Sequence, residues 1–197
     1  MRQDTNPARF KEKVMLKKIS APVDPEEIKS LRAGDTVCIS GYIYTGRDAA
    51  HKRLCELLAD GKELPIDVKN GIIYYVGPTP AKPGRAIGSA GPTSSYRMDP
   101  YTEPLLKEGL KVMVGKGSRS KECKDLLVKY GAVYLSAIGG AAASISETVK
   151  ECRVVTYEDL GAEAIHRLKV EDFYAIVTYD SVGNDLFEQG LEKYRKV

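Results

Sequence analysis

The chain has 197 residues, 43% of them apolar and 29% charged, which is enough to bury the core of one compact domain, or of a domain with an appendage, and excludes a disordered chain. Its 30 basic and 27 acidic residues are mixed along the sequence and sum to only +3, which argues against a nucleic-acid surface, where a concentrated basic face interleaves with aromatics. No run of about 18 apolar residues occurs, so no membrane-spanning segment is expected.

The first residues, MRQDTNPARFKEKVMLKK, carry charge without periodicity and lack the apolar centre and cleavage site of a secretory signal. Residues 1–16 are therefore expected to form a polar arm, residues 17–197 the folded domain, and the protein to be soluble and cytoplasmic. The basic cluster from Arg9 to Lys18 reads as a solvated arm rather than a binding site.

Strand and helix patterns then alternate. DTVCISGYIYTG reads as a strand through Val37, Ile39, Tyr42 and Tyr44, and RDAAHKRLCELLAD as a helix with Ala50, Leu54, Leu57 and Leu58 on one face. GIIYYVG is a short bounded strand, and TPAKPGRAIG a Pro/Gly turn region, with a further strand expected around Ile87. Asp99 followed by Pro100 predicts a helix N-cap, with the helix running to about Glu108 and ended by Gly109. Next come a strand LKVMVG, a helix SKECKDLLVKYG, a strand AVYLSAIGG and a helical patch from Ala141 to Val149. A strand near Arg153–Thr156, the strand FYAIVTYD and a polar terminal helix complete the chain. The expected fold is α/β, with α+β left open: a mixed sheet with flanking helices.

Four glycine-led loops sit at strand ends, where rigid scaffolds present chemistry: TGRD, GPTSSYR, GKGSRS and IGGAAAS. Arg47 stands at the positive end of a helix, electrostatically the wrong end, a placement that makes sense if a bound anion supplies the missing charge. Arg97 is a fork suited to a carboxylate, beside the hydroxyls of Thr93, Ser94 and Ser95, although a loop whose hydroxyls merely cap backbone groups would look the same. Lys116 between two glycines imitates a phosphate loop, yet five residues separate Gly109 from Gly115 and Gly117 stands where a magnesium-binding Ser or Thr belongs. Together Arg47, Arg97, Lys116 and Arg119 supply cations with few carboxylates expected to neutralise them, a pocket suited to a small dicarboxylate. The four cysteines form no close pair, so they read as reduced thiols, and no metal site, cofactor motif or Ser-His-Asp arrangement is evident.

GYIYTGRDAAHKRL, GSAGPTSSYRMDPYTEPLLKEGLKVMVGKG and YLSAIGGAAA, in that order, resemble the C-terminal domain, or separate β subunit, of the iron-sulfur class I fumarases and the related L-tartrate dehydratases. The resemblance covers roughly Lys17 to the C-terminus. It implies a swivelling β/β/α domain working beside a fumarase α subunit, in a heteromer with two of each, that binds a 4Fe-4S cluster through its own cysteines, with none bound by this chain. It also implies a hydro-lyase interconverting fumarate and (S)-malate, active only with the α subunit. By the same resemblance, Arg47, Arg97 and Lys116 are substrate-carboxylate ligands and Thr93 is the catalytic base, with His51, Ser94 and Arg119 in support. No neighbour in sequence activates the Thr93 hydroxyl, so the activating group is expected from the α subunit. Ser94 replaces a second threonine of the commonest fumarase pattern, and Ser118 stands where asparagine is frequent. Tartrate dehydration, or a noncatalytic role in binding an anion or stabilising a partner, are the alternatives.

Overall fold

The computed structural model describes residues 16–138 and 140–195. Residues 1–15 of the polar arm expected over residues 1–16, and most of the Arg9–Lys18 cluster, therefore lie outside the described residues, whereas Leu16 opens the first strand. The described residues form seven strands and six helices, in the order β1 (Leu16–Ala21), α1 (Pro25–Ser30), β2 (Thr36–Thr45), α2 (Asp48–Ala59), β3 (Ile72–Tyr74), α3 (Thr102–Lys107), β4 (Val112–Gly115), α4 (Lys121–Tyr130), β5 (Val133–Ser136), α5 (Ala142–Thr148), β6 (Val149–Thr156), β7 (Ile165–Tyr179) and α6 (Leu186–Tyr194). Short 3-10 turns cover Ser95–Tyr101 and Glu158–Glu163. None of the described helices is long and apolar enough to cross a membrane.

The sheet is mixed, as expected. Strands β1 to β5 pair parallel in the order β1-β2-β3-β4-β5, whereas β7 runs antiparallel to β5 and β6. The 15-residue β7 also pairs antiparallel with β2, from Thr36↔Ile176 to Tyr44↔Arg167, which closes the sheet on itself. Side-chain alternation then sorts the core into two layers. Ile72 and Tyr74, Val112 and Val114, and Val133 and Leu135 fill the inside, while Ile73 and Tyr75, Met113 and Tyr134 face outward against Leu54 of α2, Leu105 of α3 and Leu127 of α4. The central parallel strands are thus buried on both faces, which is why they read as short unbroken apolar runs.

Three expectations are corrected. No strand forms around Ile87; its side chain is buried in the inner core, but the backbone there bonds across a loop, with the Gly88 N–H donating to Thr79 O at 2.9 Å. The helix expected from Pro100 starts later, at Thr102, because Asp99 does not cap it: the carboxylate is held instead by Arg119 and by the Ser120 N–H at 2.7 Å, and the segment before it winds as a 3-10 turn. The strand near Arg153–Thr156 starts earlier, at Val149, and FYAIVTYD is the second half of the much longer β7.

Candidate functional site

Parallel pairing brings the C-terminal ends of β2, β3 and β4 to one edge, and the loops that follow them carry the expected residues. After β2, Gly46 donates its N–H to Tyr74 O at 3.0 Å. A Cβ there would lie 3.0 Å from His51 Cε1, so glycine leaves room for the imidazole to tuck beneath the loop. Arg47 is the N-cap residue of α2, with extended backbone and no side-chain capping bond. The charge that its placement lacks comes from the protein itself. Glu163 Oε1 lies 3.0 Å from Arg47 Nη2, and Asp48 Oδ1 lies 3.9 Å from Arg47 Nε. The expectation of few neutralising carboxylates is therefore overturned: Asp48 and Glu163 sit with the site arginines, and Asp99 with Arg119.

The second loop is stitched to the sheet by its backbone. The Thr93 N–H donates to Tyr75 O at 2.8 Å and the Ser95 N–H to Lys116 O at 3.0 Å, while Ser94 and Lys116 form an isolated parallel bridge. Ser95 is fully buried, and its Oγ accepts from the Lys116 N–H at 3.0 Å and from the Tyr134 hydroxyl at 2.9 Å. This contact explains Gly115, since a Cβ there would stand 1.9 Å from Ser95 Oγ. The 3-10 turn then places Arg97 one turn beyond Thr93. Arg97 Nη2 donates to Thr93 Oγ1, and Arg97 Nη1 lies 3.3 Å from Asp48 Oδ1. Arg47, Asp48, Arg97 and Thr93 thus form one continuous polar chain across two loops, with Lys116 bridged to the neighbouring Ser94.

The supporting residues divide. Lys116 has an exposed side chain. Arg119, grouped with the pocket cations by sequence, is buried at 5% exposure and faces inward. Its Nε donates to Asp99, its Nη2 to Thr102 Oγ1 at 2.8 Å, and its guanidinium lies 5.5 and 5.2 Å from the Tyr75 and Tyr134 ring centroids. It ties the second and third loops together rather than presenting a charge to a ligand. His51 is buried, with Nδ1 2.8 Å from Arg47 O; a carbonyl can only accept, so the Nδ1 proton makes that bond. Burial, offset in part by this bond, pushes the imidazole down to about 4, so the ring is neutral at pH 7. Among the described residues, His51 Nε2, Arg47 Nε and Asp48 Oδ1 are buried with no hydrogen-bond partner, although the Arg97 guanidinium stands 3.3 Å from Asp48 Oδ1. Ser94 has a half-buried side chain beside Lys116.

The donor set does not fit an iron-sulfur cluster in this chain. Cys38, Cys55, Cys123 and Cys152 lie on β2, α2, α4 and β6, and no three His, Cys, Asp or Glu side chains gather among the described residues. Burial pushes all four thiols up, Cys55 and Cys123 to about 11, whereas a cluster needs thiolates. Sequence reasoning missed Asp48, Asp99 and Glu163 as partners of the arginines. Asp48 was detectable as the acid following Arg47 in the first turn of α2; Glu163 carries no local signal.

A family model described as Fumarase C-terminus matches residues 2–190. The chain is 43% identical over 157 residues to the anaerobic class I fumarate hydratase of Escherichia coli, covering 79% of this chain and 29% of that protein. It is 39% identical over 180 residues to a Geobacillus stearothermophilus protein provisionally named a class I fumarate hydratase, covering 89% of this chain and 34% of that one. The chain therefore spans about a third or less of these relatives. A protein of Methanocaldococcus jannaschii, provisionally named an L(+)-tartrate dehydratase β subunit, is 38% identical over 179 residues, which cover 87% of this chain and 92% of the relative.

Proposed function

Because the chain belongs to the fumarase C-terminal family, we propose that it is the β subunit of a two-subunit hydro-lyase interconverting fumarate and (S)-malate, in which it binds the substrate carboxylates and handles the proton. The 4Fe-4S cluster, on this reading, belongs to the α subunit, and no role below depends on it. Arg47 and Arg97 take the carboxylates of the dicarboxylate through their forks, and Lys116 adds a point charge at the same edge. As the proton next to a carboxylate leaves, that carboxylate takes on further negative charge, which fixed guanidinium groups stabilise without reorganising.

The observation that carries the reading is the hydrogen bond from Arg97 Nη2 to Thr93 Oγ1. A hydroxyl is a poor base unless its anionic form is favoured, and a donor with full positive charge within hydrogen-bond reach favours that form. Arg97 thus fills the activating role that the sequence assigned to the α subunit. Dehydration of L-tartrate is the second reading, favoured by the relative of which this chain covers 92%. It asks the same of these residues, because the substrates differ by one hydroxyl.

The test is to purify the chain with its cluster-bearing partner under anaerobic conditions and assay fumarate, malate, tartrate and methylfumarate. Arg97→Lys keeps the charge but loses the fork, so it should raise KM and lower kcat/KM by about 2–4 kcal/mol in barrier terms. A pair inert towards all four substrates, or an Arg97→Lys variant with unchanged kinetics, would sink the reading.

A further inference from the structure

Arg47 is gripped by a segment from the far end of the chain. The antiparallel register of β2 and β7 runs to Tyr44↔Arg167, which sets the end of β2, Thr45, beside His166 at the start of β7. Buried Thr45 locks the two together: its Oγ1 donates to Ala164 O at 3.3 Å and accepts from the His166 N–H at 2.9 Å. The residue before this clasp is Glu163, and the residue two beyond Thr45 is Arg47, so the two side chains meet at 3.0 Å. Gly77 forms the wall behind them. A Cβ at Gly77 would lie 2.9 Å from Ala162 O, 3.3 Å from Arg47 Cδ and 3.4 Å from Arg47 Nη1.

We infer that Glu163 is a positioning residue that orients Arg47 towards a substrate carboxylate, an inference that rests on the functional reading above. With its stem against Gly77, its Nη2 on Glu163 and its Nε beside Asp48, the guanidinium loses its rotamer freedom on folding rather than on binding. Half-exposed ion pairs add little to stability, so the contribution of Glu163 is expressed in ligand affinity.

The experiment uses the assembled pair and two readouts: steady-state kinetics, and calorimetric binding of succinate, a dicarboxylate that does not react. Glu163→Ala should raise KM and weaken succinate about tenfold, with kcat within about threefold of wild type and the urea midpoint unchanged. In an Arg47→Ala background the same substitution should add nothing, because Glu163 acts through Arg47. Succinate affinity within twofold of wild type for Glu163→Ala, an equal loss in the Arg47→Ala background, or a loss of stability in place of affinity would each overturn the inference. Should Arg47→Ala itself leave KM and succinate affinity untouched, the substrate-site reading fails, and Glu163 loses its role with it.

Discussion

The three consecutive hydroxyls of the second loop have separable roles, and replacing each by alanine tells them apart. Ser95 is fully buried, and its Oγ is the acceptor for the Lys116 N–H and the Tyr134 hydroxyl. Tyr134 keeps Gly117 O at 3.0 Å as a second acceptor, so Ser95→Ala orphans one donor, the Lys116 N–H. One buried unsatisfied donor costs about 1–3 kcal/mol. For a chain of this size that lowers Tm by roughly 2–4 °C per kcal/mol. Thr93 is half-buried and its Oγ1 accepts from Arg97, which also has Asp48 within reach, so Thr93→Ala should cost about 1 kcal/mol or less. Its effect belongs in kcat, a fall of roughly 10² to 10⁴ with KM little changed, if the hydroxyl moves the proton. Ser94→Ala, half-buried beside the bridge to Lys116, should change stability and kcat little. The assay is urea unfolding of each variant together with kinetics of the assembled pair. A Thr93→Ala variant that folds and assembles normally and keeps wild-type kcat removes Thr93 as the base, and three variants alike in stability loss and normal in activity would reduce the loop to a cap.

Arg119→Met strands Asp99 and removes the bond to Thr102, so urea unfolding should show a loss of about 3–5 kcal/mol, the usual result of breaking a buried pair; a loss under 1 kcal/mol would mean that Arg119 is not the internal tie described. Gly115→Ala puts a methyl 1.9 Å from Ser95 Oγ and 3.0 Å from Tyr75 Cδ2, and should cost about 1–3 kcal/mol by overpacking. Combined with Ser95→Ala it should cost less than the two single losses added together; strict additivity in a double-mutant cycle would contradict the contact. Burial holds His51 down to about 4 from its ordinary 6.5, so the unfolded chain takes up this proton first as pH falls. Stability from this group is complete above pH 6.5 and is lost towards pH 4 by about 3 kcal/mol; if His51→Leu shows the same acid slope as wild type in urea unfolding between pH 7 and 4.5, the assignment is wrong.

What the sequence disclosed follows from how local each signal is. Strands β2 to β5 and helices α2 and α4 carry their own periodicity, and Ser120 and Gly131 mark the ends of α4 as a capping hydroxyl and a left-handed glycine. Thr93 and Arg97 are four positions apart, close enough for the chain entering the 3-10 segment at Ser95 to bring their side chains together. Strand β1 escaped because its residues are mostly exposed or half-buried, with only Ile19 fully covered, so LKKISA reads as charge. The first half of β7 escaped for a similar reason: IHRLKVED alternates irregularly because it pairs with β2 on one side and with bulged β6 on the other. The misplaced helix start at Asp99 was a competition between two uses of one carboxylate, and the buried arginine won over the helix cap.

Charge counting shows why the strand pairing matters to the site. The loops at this edge carry three cations, Arg47, Arg97 and, through the backbone bridge to Ser94, Lys116, and the closure of the sheet through β7 delivers Glu163 to join Asp48 beside the two arginines. Three cations against two carboxylates leave one positive charge on this group of side chains. A dicarboxylate would turn that balance to one negative charge. Arg119 cannot correct it, because its side chain is fully covered and its charge is matched by Asp99. On the proposed function, at least one further cation must therefore come from outside this group, and the partner subunit has to bring it. A dicarboxylate that bound as tightly to the isolated chain as to the assembled pair would refute this electrostatic division, because it would show that the three cations described suffice alone.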